Sequence, residues 1–183
     1  LHDVSFAARP GETVAIIGAT GSGKSSIVNL IPRFYDAHDG EILVDGVNVK
    51  EWKQAELRNR IGYVPQKATL FSGTISSNID YGSGSKEIMP QDIVEAARVS
   101  ASTEFVSTKE DGYASHVAQG GTNFSGGQKQ RLSIARAVAR DAEIMIFDDS
   151  FSALDYRTDR DVRPALREHA GDATMIIVAQ RIG

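Results

Sequence analysis

The sequence has no cysteine, no long apolar run and no excess of basic residues. The lack of cysteine excludes a disulfide framework and thiolate chemistry. No apolar run approaches the roughly 20 residues of a membrane-spanning helix. The net charge is −4 at pH 7 and the basic residues are scattered, so the composition does not favour nucleic acid as a partner. The chain has 183 residues, of which 41% are hydrophobic. This length and composition predict one globular domain with room for a subdomain.

A glycine-rich stretch at residues 18–25 fits the pattern G-x-x-x-x-G-K-[ST]. The β-branched run Thr13–Ile17 before it predicts a fully buried strand, and residues 25–31 after it predict a helix that ends at Pro32. Backbone N–H groups of such a loop bind phosphate, its lysine reaches the β- and γ-phosphates, and its serine hydroxyl binds Mg²⁺. The predicted nucleotide-binding residues are Gly18, Ala19, Thr20, Gly21, Ser22, Gly23, Lys24, Ser25 and Ser26.

The segments around this loop predict further β structure. Residues 4–6 alternate like a short strand that forms a hairpin with the strand before the loop, and residues 41–49 predict an antiparallel unit turned at Asp45-Gly46. Residues 50–60 predict a short surface helix on which Trp52 packs. Residues 61–64 predict another strand, and Gln66 follows at its carboxyl end, where it either binds Mg²⁺ through its carbonyl oxygen or faces solvent.

The middle of the chain is predicted to be mainly helical. Residues 69–75 are apolar but contain Gly73, which is typical of a surface that exposes hydrophobic side chains to a partner. Helices are predicted from Pro90 and over residues 103–108. We therefore expect a helical subdomain over residues 69–140, with the core formed by residues 1–68 and 141–183.

Two motifs follow in the last third of the sequence. Ser125, Gly126, Gly127 and Gln128 precede a helical apolar pattern, which predicts either a plain turn or a second place where backbone amides approach a phosphate. The buried strand pattern at residues 144–147 ends in Asp148 and Asp149, two carboxylates that are costly to place at a core edge without a cation. Asp148 is expected to hold Mg²⁺ indirectly, from behind its direct ligands, and Asp149 lies where a base could polarise a water.

Taken together, these motifs resemble the nucleotide-binding domain of the ATP-binding-cassette family along essentially the whole chain. Residues 18–25 match the Walker A loop, Gln66 the Q-loop, residues 124–128 the signature and residues 144–148 Walker B. The resemblance implies an α/β P-loop NTPase fold: a RecA-like, mainly parallel core sheet with an antiparallel flank and an inserted helical subdomain. Residues 152–155 match the D-loop, which implies that Asp155 lies at a dimer seam and takes part in communication between sites, although a helix N-cap is an equally simple role for it.

The resemblance also implies ATP and Mg²⁺ as ligands, and two cassettes that close head to tail around two ATP molecules. Residues 69–75 resemble the corresponding segment of exporters, whose membrane half is commonly fused ahead of the cassette. We therefore expect the chain to be part of a longer polypeptide with a transmembrane domain, located at the cytoplasmic face of the cell membrane.

Two positions depart from the family pattern. Asp149 stands where a glutamate usually activates the attacking water, and Gln180 stands where a histidine is usual. The aspartate carboxylate would lie roughly 1.5 Å further back, a displacement that can cost on the order of a hundredfold in rate. Gln180 can donate a hydrogen bond to a γ-phosphate but cannot carry the protons of an imidazole. The expectation is a slow ATPase site in one half of a heterodimeric exporter, with the intact signature completing the partner's site.

Three other functions stay open at this point. One is a homodimeric transport ATPase that works with Asp149 as a slower base. The second is a soluble cassette ATPase that acts on nucleic acid or ribosomes, against which the acidic composition and the exporter-like segment argue. The third is a regulatory module that binds nucleotide without hydrolysing it.

Overall fold

The computed structural model describes residues 1–82, 84 and 86–180. The helices are α1 (Lys24–Leu30), α2 (Gln54–Asn59), α3 (Ile75–Asp80), α4 (Pro90–Val99), α5 (Thr103–Val106), α6 (Gly126–Ala139) and α7 (Tyr156–Ala170). The strands are β1 (Thr13–Ile17), β2 (Leu43–Val44), β3 (Val47–Asn48), β4 (Ile61–Val64), β5 (Gly73–Thr74), β6 (His116–Val117), β7 (Ile144–Asp148) and β8 (Thr174–Ala179).

The core is a parallel sheet with the strand order β1-β8-β7-β4. Every neighbouring pair in it is parallel, with Ile17 opposite Ala179, Asp148 opposite Val178 and Val64 opposite Phe147. All four strands therefore end at the same edge, and the predicted α/β fold with a parallel core sheet is confirmed. Because parallel strands run in one direction, the residues that follow them are collected at one place.

Strand β1 differs from its sequence-based prediction. It was expected to be fully buried, but its residues alternate between exposed and half-buried, and Ile17 is 46% exposed. The reason is that β1 is an edge strand that pairs with β8 alone in the described sheet. Residues 1–12, all of which are described, form no strand, and Val4 and Phe6 are each 49% exposed, so the predicted N-terminal hairpin is wrong.

The antiparallel flank is confirmed in the short ribbon formed by β2 and β3. Asp45 and Gly46 both have positive φ, 51° and 76°, as a two-residue type I′ hairpin turn requires. Trp52 packs against the small core under this ribbon, and the Arg60 guanidinium lies 5.0 Å from its ring. The prediction that Trp52 serves packing is therefore confirmed.

Residues 69–140 contain α3 to α6 and the β5–β6 ribbon. Helix α6 begins at Gly126 after the N-cap Ser125, which confirms that the Ser-Gly-Gly motif opens a helix, and α5 is two residues shorter than predicted. Buried side chains of this region and of the sheet, among them Ile79, Leu132 and Phe147, form one continuous hydrophobic cluster. In the described part of the chain, no helix combines the length and the apolar character needed to cross a membrane.

Candidate functional site

The carboxyl edge of the sheet carries almost every predicted functional residue of the core. The loop at residues 18–23 follows β1, Gln66 follows β4 after Pro65, Asp149 follows β7, and Gln180 follows β8. Asp148 is the last residue of β7. The parallel topology thus brings together residues that are up to 162 positions apart in the sequence, between Gly18 and Gln180.

The phosphate-loop lysine is folded over its own loop. Gly23 caps α1 with a φ of 91°, a conformation that glycine adopts without strain. Lys24 is 9% exposed, and its Nζ donates to the carbonyl oxygens of Gly18 and Ala19 at 2.7 Å each and to Ser22 Oγ at 3.4 Å. These acceptors are neutral, so the ammonium charge has no carboxylate partner within this loop. An anion placed over the loop would meet that charge directly.

The Asp148 carboxylate is held through both of its oxygens. Ser25 Oγ donates to Oδ1 at 2.8 Å, and Tyr63 Oη lies 3.1 Å from Oδ2. The same phenol lies 2.8 Å from Asn29 Oδ1. Burial, and after it the negative charge of Asp148, raises the pKa of the Tyr63 phenol, so it keeps its proton and remains a donor.

The oxygen atoms around Asp148 fit a magnesium ion. Mg²⁺ prefers oxygen ligands and is commonly bound by one or two carboxylates together with phosphate oxygens. Asp148 is 6% exposed, and none of the ion pairs of the described residues involves it. With the Ser25 hydroxyl beside it, this carboxylate offers a cation two oxygen ligands. Groups of three or more His, Cys, Asp or Glu side chains suited to a metal do not occur among the described residues.

Asp149 is held by the two glutamines that the sequence singled out. Its Oδ2 accepts from Gln66 Nε2 at 3.1 Å and from Gln180 Nε2 at 2.8 Å. Thr20 Oγ1 in turn donates to Gln180 Oε1 at 3.4 Å, which ties this group to the phosphate loop. The Asp149 backbone is left-handed, with φ 49°, and its N–H donates to Val178 O at 3.1 Å. The side chain is therefore fixed beside the phosphate loop, with Oδ1 outside these two bonds.

The signature residues are arranged differently. Ser125 caps α6: its Oγ accepts from Gln128 N at 3.2 Å, and its N–H donates to Gln128 Oε1 at 3.0 Å. Gly126 and Gly127 form the first turn of α6. In the part of the chain that the structure describes, no hydrogen bond joins residues 123–128 to residues 18–26. Within one chain, the described signature residues are therefore not hydrogen-bonded to the phosphate loop.

Asp155 caps helix α7. It accepts from Thr158 N at 3.0 Å and from Thr158 Oγ1 at 2.7 Å. The hydrogen bond from the Thr158 backbone, followed by that from its hydroxyl, lowers the pKa of the Asp155 carboxyl. The N-cap role is confirmed, and a role in communication between sites stays a prediction.

Sequence reasoning missed Tyr63 and Asn29. Residues 61–64 were predicted to form a strand, and Tyr63 was given no role in it. Its importance depends on the pairing of β4 with β7, which places it opposite Ile146, two residues before Asp148. A polar aromatic tip at the end of an apolar strand was the available signal, but the neighbouring strand was unknown.

Known proteins resemble this chain over its whole length. The family model described as ABC transporter matches residues 1–152. An uncharacterized ABC transporter ATP-binding protein of Mycobacterium tuberculosis is 54% identical over 183 residues, which are 100% of this chain and 31% of that protein. The ATP-dependent lipid A-core flippase of Coxiella burnetii is 42% identical over 182 residues, again 100% of this chain and 31% of the flippase.

A solved structure of a bacterial Atm1-family ABC exporter with ATP bound superposes with a TM-score of 0.92 at 39% identity. The match covers 99% of this chain and 31% of the exporter chain. The chain thus spans about a third of the length of the relatives that it matches.

Proposed function

The chain belongs to the ABC transporter family, whose model covers most of it, and we propose that it binds Mg²⁺ and ATP and couples ATP hydrolysis to export across a membrane. The observation that carries this proposal is the gathering of Lys24, the Ser25–Asp148 pair and the clamped Asp149 at one sheet edge. Each part alone is compatible with other roles. Together they offer a phosphate site, a cation site and a carboxylate for water.

The proposed roles follow from the contacts. The amides of residues 18–25 and the Lys24 ammonium bind the phosphates, and Lys24 exchanges its bonds to Gly18 and Ala19 for phosphate oxygens. Ser25 and Asp148 hold Mg²⁺, with the Gln66 carbonyl oxygen as a further ligand. The cation neutralises charge on the phosphate oxygens when it is bound.

We further propose that hydrolysis at this site is slow. Asp149 carries the carboxylate that faces the attacking water, but it is one methylene shorter than glutamate, and two neutral amides occupy its Oδ2. Gln180 positions that carboxylate and contributes no proton transfer of its own. A loss of roughly a hundredfold in turnover is the size expected from a misplacement of about 1 Å.

A second nucleotide-binding domain completes the proposed function. Ser125, Gly126 and Gly127 present a serine hydroxyl and glycine amides at the start of α6, and Gln128 supports this turn. Because the signature is not joined to this chain's own loop, we propose that it contacts ATP bound on a partner domain, with Asp155 near the seam.

We propose that an aromatic surface of this chain contacts a transmembrane domain. The rings of Phe71 and Tyr81 stack at 4.1 Å and are 41% and 52% exposed. The Arg136 guanidinium lies 5.4 Å and 5.5 Å from the two rings and donates to Asn78 O at 2.8 Å, which fixes the pair on α6. An exposed, rigid aromatic pair fits contact with a transmembrane domain at the cytoplasmic face.

The function is tested by measuring ATP binding and hydrolysis in the full-length protein, alone and with candidate partner subunits. We expect tight binding with low turnover alone. Asp149→Glu together with Gln180→His should raise turnover by roughly tenfold to a hundredfold, because the carboxylate then reaches the water and an imidazole carries protons.

The matched control is Asp111→Glu, which lengthens an exposed carboxylate far from the loop in sequence and should leave turnover unchanged. Rapid turnover by the unaltered protein alone would contradict the slow site and indicate a self-sufficient homodimer. Binding without turnover in the double variant and with every partner would contradict the ATPase and favour a regulatory module.

A further inference from the structure

We propose that Tyr63 is a positioning residue for the cation site, because its phenol holds the Asp148 carboxylate in the orientation that binds Mg²⁺. This inference rests on the proposed function. The observation that supports it is the contact between Tyr63 Oη and Asp148 Oδ2 at 3.1 Å. Ser25 donates to the other carboxylate oxygen, Oδ1.

The sheet and helix α1 place these groups on one face. Tyr63 on β4 is opposite Ile146 on β7, and Asp148 follows two residues later on the same face of the strand. Helix α1 packs against this face, since Val28 and Ile146 lie in one buried cluster. Ser25 and Asn29 are four residues apart and lie on the same side of α1. The cation ligands and the phenol therefore meet between one helix and two adjacent strands.

The two oxygens of Asp148 are held by donors with different roles. Ser25 is itself a proposed cation ligand: its oxygen has lone pairs for the ion while its proton stays directed at Asp148 Oδ1. The Tyr63 phenol is not a proposed ligand and donates to the other carboxylate oxygen. Tyr63 is thus the donor in this pair that acts on the carboxylate without binding the cation, as hydrogen-bonded neighbours of metal ligands commonly do.

Asn29 Oδ1 and Asp148 Oδ2 are alternative acceptors for the Tyr63 proton. A phenol has one proton and lies 2.8 Å from Asn29 Oδ1 as well as 3.1 Å from Asp148 Oδ2. If the Asn29 amide turns its NH₂ group toward the phenol oxygen, Tyr63 accepts from Asn29 and donates to Asp148. The charged carboxylate is the stronger acceptor, which favours that arrangement.

The ring of Tyr63 has a separate packing role that a conservative variant preserves. It meets the Phe34 ring edge to face, with centroids 5.3 Å apart and planes at 74°. Tyr63→Phe removes the hydroxyl and leaves the ring in place. The matched control is Tyr113→Phe, because the buried Tyr113 hydroxyl has no hydrogen-bond partner in the described part of the chain.

The experiment uses the full-length protein and a fluorescent, non-hydrolysable ATP analogue. Its affinity is measured in EDTA, and the Mg²⁺ concentration for half-maximal tightening is then found by titration. For Tyr63→Phe we expect unchanged affinity in EDTA and about a tenfold higher Mg²⁺ midpoint, at the low end of the loss typical for partners of metal ligands. Tyr113→Phe should match the wild type in both measurements.

Three results would overturn the inference. One is a Mg²⁺ midpoint of Tyr63→Phe within twofold of the wild type. If the melting temperature fell in that case, the phenol would serve stability alone. Another is weakened binding in EDTA, because the whole site would then be damaged. The third is a wild type that binds no analogue with or without Mg²⁺, which would overturn the proposed function as well; the first two leave that function standing.

Discussion

Lys24 is the residue on which nucleotide affinity should depend most. Its ammonium is buried against backbone carbonyls 2.7 Å away, without a carboxylate in its loop. Lys24→Ala removes the charge that meets the phosphates, so we expect ATP affinity to fall by roughly tenfold to a hundredfold, equivalent to about 1.4 to 2.8 kcal/mol. Equilibrium binding of a fluorescent ATP analogue to the full-length protein measures this.

The control for that change is Lys67→Ala, which removes an exposed lysine with the same change in net charge. Its affinity should stay within twofold of the wild type. Equal losses in the two variants would mean that net charge, and not the position of Lys24, governs binding.

The residue types predicted which side chains belong to the site, but not which of them form hydrogen bonds with each other. Asp149 and Gln66 were singled out from strand ends and Gln180 from the resemblance to the family, and the structure joins all three in one hydrogen-bonded group. Tyr63 was missed, because the role of a tyrosine in a strand depends on which strand lies beside it. Periodicity does not encode that neighbour.

At the scale of elements, the start of helix α6 determines where the signature residues lie. Ser125 and Gln128 satisfy each other's backbone N–H groups in a capping box, which starts α6 at Gly126, directly after the N-cap serine. The capping signal was present in the sequence, as serine followed three residues later by glutamine. The signature is therefore a structural cap as well as a proposed contact for ATP.

Helix α7 allows the two roles of Asp155 to be separated. Asn caps helices about as well as Asp, whereas Ala does not. Asp155→Ala should therefore lower the melting temperature at pH 7, and Asp155→Asn should largely preserve it. If Asp155 also communicates between sites through its charge, Asp155→Asn will alter ATPase cooperativity while keeping the melting temperature, and a fully normal Asn variant would contradict that role.

The same cap predicts a dependence on pH. Because folding lowers the pKa of the Asp155 carboxyl, its contribution to stability is complete above the ordinary aspartate pKa of about 3.9 and is lost as the pH falls through the lower folded value. The stability difference between wild type and Asp155→Ala should therefore shrink in acid, below about pH 4. Thermal unfolding from pH 7 to pH 3 checks this, and a constant difference would contradict the cap as its source.

For the whole molecule, the aromatic surface of Phe71 and Tyr81 is the proposed route from ATP to transport. Tyr81→Asp places a charge in an exposed stacked pair that is 4.1 Å apart. We expect ATP binding within twofold of the wild type, and ATP-driven transport in vesicles reduced by roughly tenfold or more, because an interface core disfavours a charge. Tyr35→Asp, at a tyrosine that is 67% exposed, is the matched control.

Two results would count against this surface. Normal transport by Tyr81→Asp would show that the aromatic pair does not contact the membrane part. Equal loss of transport in Tyr35→Asp would show that any added surface charge is harmful.

The sequence by itself determined the phosphate loop and the acidic end of β7, because these depend on residue types at short spacing. The ordered set of motifs along the whole chain determined the resemblance to the family, and that resemblance implied the parallel α/β fold. The tertiary structure decided the burial and the hydrogen bonds, which depend on which elements lie side by side. It made β1 an exposed edge strand, placed Gln66 and Gln180 on one oxygen of Asp149, and joined Tyr63 to Asp148. The physical reason is that burial and hydrogen bonding are set by which elements lie side by side, and parallel strands acquire their neighbours only when distant segments pack into one sheet.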